Sequence, residues 1–176
     1  RVHTSEGIYG FGEFTVEGLH DGARALVQEL SQFIIGKDCS DIKGIIRGVY
    51  DLNFYHGGAH YMSALGGIEI ALWDIAGKTL NAPIYKLIGG KVRDKIKVYR
   101  WAGGNNNTPE LCAEEAAKVI SEGAKAIKMN ACPPLAAIDT YGGIKAAVQR
   151  AKAVRDAVGP DIDIAFDFHG RANVPM

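Results

Sequence analysis

Two short polar segments combine residue types that could form an active site. Lys128 and Asn130 are two residues apart, and so are Asp167 and His169. On a β-strand, residues two apart lie on the same face of the sheet. An aspartate and a histidine placed in this way could act as a metal ligand and an acid, or as two ligands of one metal. Taken alone, the aspartate could equally be a helix cap or a loop carboxylate, and the lysine could be a surface residue.

The elements around these segments are predicted from hydrophobic periodicity. Residues 95–176 alternate between the period of a strand and that of a helix. We predict strands at 97–101, 126–130 and 162–169, and helices at 108–121 and 139–157. This alternation builds a parallel sheet covered by helices. A doubly wound dinucleotide-binding fold is disfavoured, because no GxGxxG follows the first strand.

The predicted strand ends explain why the polar segments are of interest. In βα folds, the active site lies at the carboxyl ends of the strands. The three strands end in residues 101–104, 128–130 and 167–171, so their polar side chains are expected at one edge of the sheet. We expect Tyr99 and Trp101 to pack there, with Trp101 bordering the mouth of the site.

The first half of the chain has a different pattern. We predict a strand hairpin within residues 1–16, followed by helices and a loop. The predicted helices cover 20–36, 41–53 and 61–80, the loop covers 54–58, and a short helix ends at 89–90. Gly66 and Gly67 lie inside the longest helix, where each glycine costs ~1 kcal/mol relative to alanine. Such a pair suggests that another backbone approaches this helix closely.

The composition argues against some classes of function. Lysine plus arginine equals aspartate plus glutamate at 20 each, so we expect neither a nucleic acid nor an anionic membrane as partner. No apolar run approaches the ~20 residues of a membrane helix. Cys39, Cys112 and Cys132 form no CxxC pair, so we expect reduced cysteines in a cytoplasmic protein. Because Arg1 opens directly into a strand pattern and the last residues follow a turn, we expect that both ends are cut.

Several motifs resemble one known family. Residues 64–78 (ALGGIEIALWDIAGK) resemble the signature of the mandelate racemase/muconate lactonizing subgroup of the enolase superfamily. The resemblance continues through residues 82–84 (API), 87–90 (LIGG) and 93–94 (RD). Within the subgroup, residues 54–58 (FYHGG), 127–130 (IKMN) and 167–171 (DFHGR) resemble galactonate dehydratases.

The resemblance implies a two-part α/β protein. Residues 1–94 would form an enolase-like α+β capping domain, which gates the site in this family. Residues 95–176 would form the first three βα units of a modified TIM barrel. Since a closed barrel has eight strands, we expect the 176-residue chain alone to be inactive and prone to aggregate. The family often forms homo-oligomers, and we expect the same here.

The resemblance also implies a chemistry and a set of site residues. Members bind one Mg²⁺ through three carboxylates at the ends of consecutive strands, and Asp167 matches the first. The proton α to a substrate carboxylate is removed, and loss of a β-hydroxyl then gives a 2-keto-3-deoxy acid, here from D-galactonate. His169 matches the general acid, and Lys128 would hold the substrate carboxylate or an enediolate oxygen. The predicted substrate-binding residues are Asn130, Arg171 and Tyr55.

Departures from related motifs narrow the choice of reaction. Racemases of the subgroup carry a basic lysine where this chain has Asn130, which cannot take a proton. Gly170 stands where mannonate dehydratases have a second histidine. Two prolines in residues 131–134 depart from the expected acidic loop, so the sugar acid is left open. The alternatives are a gluconate or fuconate dehydratase, or a non-catalytic truncated paralogue.

Overall fold

The computed structural model describes residues 1–103 and 108–176, which form two compact units, Arg1–Asp94 and Lys95–Met176. The expected α+β region followed by βα units is confirmed. The first unit contains β1 (Val2–His3), β2 (Tyr9–Gly10), α1 (His20–Ser31), α2 (Ile42–Tyr50), α3 (Ala59–Thr79) and α4 (Ile84–Leu87). The second contains β3 (Arg100–Trp101), α5 (Pro109–Ser121), β4 (Ala126–Asn130), α6 (Tyr141–Val158) and β5 (Asp163–Asp167).

Helix α3 forms the centre of the first unit. Its apolar residues recur at spacings of three and four, so they lie on one stripe and become buried. Side chains from α1 and α2 pack against this stripe, including Leu30, Ile45 and Val49. The hydroxyl of Tyr61 donates a hydrogen bond to the Val49 carbonyl, which ties α3 to the end of α2.

A close backbone approach explains one of the two helical glycines. The segment that follows β2 crosses α3, and a Cβ on Gly67 would lie 2.8 Å from Phe14 Cβ and 3.2 Å from the Glu13 carbonyl oxygen. A Cβ on Gly12 would lie 1.7 Å from the Gly67 carbonyl oxygen. Nothing lies within 4 Å of a Cβ on Gly66. The close approach expected from the glycine pair is therefore found at Gly67 alone.

The predicted first helix is too long. Helix α1 ends at Ser31, not at residue 36, and the chain continues through tight turns. The amide of Phe33 donates to the Leu30 carbonyl, and that of Ile34 donates to the Ser31 carbonyl. These three-residue spacings tighten the backbone beyond an α-helix. Gly36 then takes a positive φ of 81°.

Strands β3, β4 and β5 form a parallel sheet in that order. One face of the sheet is covered by helices. There, Ile127 and Met129 are buried against residues of α5 and α6, including Ala116, Val119 and Val154. Because side chains alternate along a strand, Lys128 and Asn130 lie on the opposite face. This opposite face carries the polar residues of interest.

Among residues 1–103 and 108–176, none of the helices has both the length and the apolar character that crossing a bilayer requires.

Candidate active site

The parallel register brings Lys128 and Asp167 together. Asn130 of β4 stands opposite Asp167 of β5, and Lys128 stands opposite Ala165. The small alanine leaves room for the lysine to extend towards the strand end. Its Nζ lies 2.9 Å from Asp167 Oδ2, and the two side chains are 30% and 25% exposed. The pair is therefore accessible from the open face of the sheet.

Both groups of this pair are held in their charged forms. The hydrogen bond from Lys128 lowers the pKa of Asp167, and a second bond from the backbone N–H of His169 lowers it further. The same bond to Asp167 raises the pKa of Lys128. At neutral pH the site thus presents a carboxylate and an ammonium side by side. This arrangement can hold a cation on one group and an anion on the other.

His169 lies beside Asp167, but not on the strand. β5 ends at Asp167, so the expectation that both residues share a strand face is wrong. The physical reason is a local turn, in which the His169 N–H donates to Asp167 Oδ1 at 2.8 Å. His169 adopts a positive φ of 52°, and Gly170 follows with 67°. The imidazole Nδ1 is nevertheless 3.8 Å from Asp167 Oδ2, so the two side chains remain neighbours.

Arg171 and Asn130 lie at the same edge of the sheet. The guanidinium Nη1 of Arg171 donates to the Cys132 carbonyl at 3.0 Å, and its backbone N–H donates to the Phe168 carbonyl. Arg171 therefore links the loops that follow β4 and β5. Asn130, the last residue of β4, is buried. Cys132 is also buried, and this burial raises the pKa of its thiol.

Two aromatic rings flank the ammonium of Lys128. Trp101 pairs with Lys128 in the register of β3 and β4, and its ring centroid is 5.8 Å from Nζ. The ring of Tyr99 is 6.0 Å from the same atom. The sequence pattern predicted packing for both rings, but it gave no sign that they contact Lys128. The register of two strands that are distant in sequence creates this contact. Gly104, predicted at the same strand end, lies outside the described residues.

Tyr55 belongs to the first unit. It lies in the loop between α2 and α3, is 86% exposed, and makes an edge-to-face contact with the ring of Phe54. The neighbouring His56 stacks on Tyr50 at the end of α2. An exposed aromatic pair at a loop tip is free to contact a ligand, and a substrate contact by Tyr55 stays a prediction.

The residues around Asp167 supply part of the ligand set that a Mg²⁺ ion requires. Mg²⁺ prefers oxygen ligands in octahedral geometry and usually takes one or two from protein carboxylates. Asp167 offers an ionised and accessible carboxylate of this kind. The described residues contain no group of three His, Cys, Asp or Glu side chains that could hold a metal. They therefore fit one ligand of such a site, and not a whole site.

The two units match two different domain families. Residues 1–89 match the family described as mandelate racemase / muconate lactonizing enzyme, N-terminal domain. Residues 111–176 match the family described as enolase C-terminal domain-like. The first match covers helices α1 to α4, and the second contains β4, β5 and the Lys128–Asp167 pair.

Individual relatives agree with these matches. A D-galactonate dehydratase from Variovorax paradoxus (strain S110) is 42% identical over the whole chain, which covers 46% of that protein. A member of the enolase superfamily from Salmonella Typhimurium is 35% identical with a TM-score of 0.85, covering 95% of this chain and 49% of that one.

A third relative was solved with ligands. An enolase from Agrobacterium radiobacter, bound to Na and L-malate, is 29% identical with a TM-score of 0.78, covering 94% of this chain and 42% of that one. The chain thus spans about half the length of the relatives it matches. On these matches, it belongs to the mandelate racemase/muconate lactonizing family of the enolase superfamily.

Proposed function

We propose that the protein containing this chain is a Mg²⁺-dependent sugar-acid dehydratase that converts D-galactonate to its 2-keto-3-deoxy acid. The observation that carries the proposal is the Lys128–Asp167 ion pair with His169 beside it, at the carboxyl edge of the sheet. The 42% identity to a D-galactonate dehydratase supports the substrate. The relative bound to Na and L-malate supports a site that takes a cation together with a small hydroxy acid.

The charges of the site suggest how the substrate binds. The ammonium of Lys128 holds the substrate carboxylate through charge-assisted hydrogen bonds. Asp167 would be one ligand of the Mg²⁺, which when bound would supply positive charge to stabilise the negative charge that develops as the α-proton leaves. Asn130 and Arg171 donate to substrate hydroxyls. Arginine has five N–H donors, and the hydrogen bond from Arg171 Nη1 to the Cys132 carbonyl leaves others available. Tyr55 is the further substrate-binding residue of the proposal, and its exposed ring is available to contact a ligand.

His169 is the general acid of the proposed reaction. Its Nδ1 is the ring nitrogen nearer Asp167, which leaves Nε2 to carry the transferred proton. When the C–O bond at the β-carbon breaks, the departing hydroxyl takes this proton and leaves as water. The enol that remains becomes the 2-keto acid. The base that removes the α-proton is not assigned to a residue of this chain.

The proposal is tested with the complete gene product, Mg²⁺ and a panel of sugar acids. Galactonate, gluconate and fuconate are each incubated with the enzyme, and the 2-keto-3-deoxy product is measured. We expect turnover of galactonate that is strongly reduced but still measurable in Lys128→Met and kept in Lys97→Met, which removes a lysine that pairs with Asp163 of β5. Turnover of gluconate or fuconate in its place would favour the alternative substrates. No product from any acid would favour a non-catalytic paralogue.

We also propose that the protein is a cytoplasmic homo-oligomer. Among the described residues, Cys39, Cys112 and Cys132 form no disulfide, as expected for a reducing compartment. Light scattering of the complete gene product would measure the number of subunits. A monomer across micromolar concentrations would contradict the proposed homo-oligomer.

A further inference from the structure

The ammonium of Lys128 is contacted by groups from two neighbouring strands. Asp167 of β5 binds it on one side, while Trp101 of β3 and the preceding Tyr99 lie within about 6 Å on the other. Trp101 is 49% exposed and Tyr99 is 57% exposed, so neither ring is simply part of the core. Both rings thus lie on the accessible face of the sheet with Lys128.

The distances are those of a cation–π interaction. An ammonium within about 6 Å of an aromatic centroid is attracted by the negative face of the ring, and tryptophan is the strongest such partner. Lysine has a flexible four-carbon stem and a single point charge, so its ammonium needs outside contacts to hold one position. Asp167 alone could not do this in the proposed enzyme, because its carboxylate is also needed as a metal ligand.

We propose that Trp101, supported by Tyr99, is a positioning residue that holds the Lys128 ammonium where the substrate carboxylate binds. The rings would keep the ammonium in place when Asp167 acts as a metal ligand. The contact itself depends only on this chain's geometry, whereas its effect on turnover rests on the proposed dehydratase function. Trp101 is not proposed to touch the reacting atoms.

The kinetic test compares two substitutions of Trp101 in the complete gene product. Trp101→Phe keeps an aromatic face. Trp101→Leu removes the aromatic face but keeps an apolar side chain. We expect Trp101→Leu to lower kcat/KM about tenfold, mostly through KM, and Trp101→Phe to restore most of the loss. In a Lys128→Met background, Trp101→Leu should cause little further loss, because the coupled partner is already gone.

A spectroscopic test does not depend on activity. Subtracting the emission spectrum of Trp101→Leu from that of the parent, both as the complete gene product, isolates the emission of Trp101. Lys128→Met should shift this isolated emission. Lys97→Met is the matched control, since it removes a lysine that lies just before β3 and pairs with Asp163.

The outcomes separate the two proposals. An emission shift with Lys128→Met alone, in a protein that dehydrates no sugar acid, would support the positioning contact and reject the proposed function. Turnover of a sugar acid with equal activity in Trp101→Phe and Trp101→Leu would overturn the positioning role. The positioning role would also be overturned if Trp101→Leu lowered kcat/KM by the same factor in the parent and in the Lys128→Met background. The effect would then not pass through the lysine.

Discussion

At the residue scale, Asp167 is the centre of the candidate site. Its two oxygens accept from different donors, the Lys128 ammonium and the backbone N–H of His169. The second bond is part of a turn, so the carboxylate is oriented by the backbone and not only by a mobile side chain. A carboxylate oriented in this way can bind a metal with one oxygen while its other oxygen stays hydrogen-bonded to the His169 N–H.

Replacing Asp167 tests its proposed role as a metal ligand. Asp167→Asn keeps the shape of the side chain but removes its charge, so we expect Mg²⁺ binding by the complete gene product to weaken at least tenfold. Titration calorimetry with Mg²⁺ measures this. Asp163→Asn is the matched control, because it lies on the same strand and pairs with Lys97. Equal affinities in both variants would contradict a ligand role for Asp167.

His169 can be tested apart from the metal. A general acid acts after the α-proton has left, so His169→Asn should slow dehydration by 10²-fold or more. Exchange of the substrate α-proton with solvent should continue in the same variant. Proton NMR in ²H₂O measures exchange and dehydration in one sample. If His169→Asn stopped both processes to the same extent, His169 would not be a dedicated acid for the leaving hydroxyl.

At the element scale, helix α3 is fitted to the segment that crosses it. A Cβ on Gly67 would meet Phe14 and Glu13, whereas a Cβ on Gly66 would meet nothing within 4 Å. We expect Gly67→Ala to reduce the free energy of unfolding by about 1–3 kcal/mol through overpacking. Gly66→Ala should increase it by up to about 1 kcal/mol through helix propensity. Urea unfolding measures both, and equal effects would show that the crossing segment is not tightly packed.

The crossing segment is also attached to α3 by a carboxylate. Asp74 Oδ2 accepts from the Phe11 N–H and from Lys78 Nζ, each at 2.8 Å. The bond from Lys78 lowers the pKa of Asp74, and the bond from Phe11 adds to this. A carboxyl whose pKa is lower in the folded state stabilises the fold above its unfolded pKa. That contribution is lost as pH falls through the folded pKa.

This linkage gives a pH-dependent prediction. At neutral pH, Asp74→Asn should reduce the free energy of unfolding by about 1 kcal/mol, a modest value because the pair is partly exposed. The difference between the two proteins should shrink as pH falls from the unfolded pKa near 3.8 through the lower folded value. Urea unfolding at several pH values measures it. A difference that stays constant with pH would mean that the Asp74 charge contributes nothing.

These elements also show what the sequence could predict. Helix α3 was predictable because its apolar residues recur at spacings of three and four, and the strand containing Lys128 because apolar and polar residues alternate over 127–130. The position of His169 was not, because a hydrogen bond from the His169 N–H to the Asp167 carboxylate and a positive φ replace the alternation of a strand. The contact between Trp101 and Lys128 was not either, since it depends on the register of strands far apart in sequence.

At the scale of the whole molecule, the second unit has exposed strand edges. Among the described residues, β5 pairs only with β4, and Phe166 on β5 and Phe168 just after it are exposed. A barrel of this family type closes with eight parallel strands, whereas the described sheet has three. A free strand edge beside apolar side chains is a template for pairing with another chain.

We therefore expect the 176-residue chain by itself to self-associate through β5. Sedimentation velocity should show an average mass that rises with concentration above the 18.9 kDa of one chain. Phe166→Lys places a charge on the exposed strand and should reduce the association, because charged edges resist pairing. Ile138→Lys is the control, since Ile138 is also apolar but lies in a loop, where it is 91% exposed against 38% for Phe166. If both substitutions reduced association equally, exposed apolar surface in general would drive it, and the edge of β5 would have no special part.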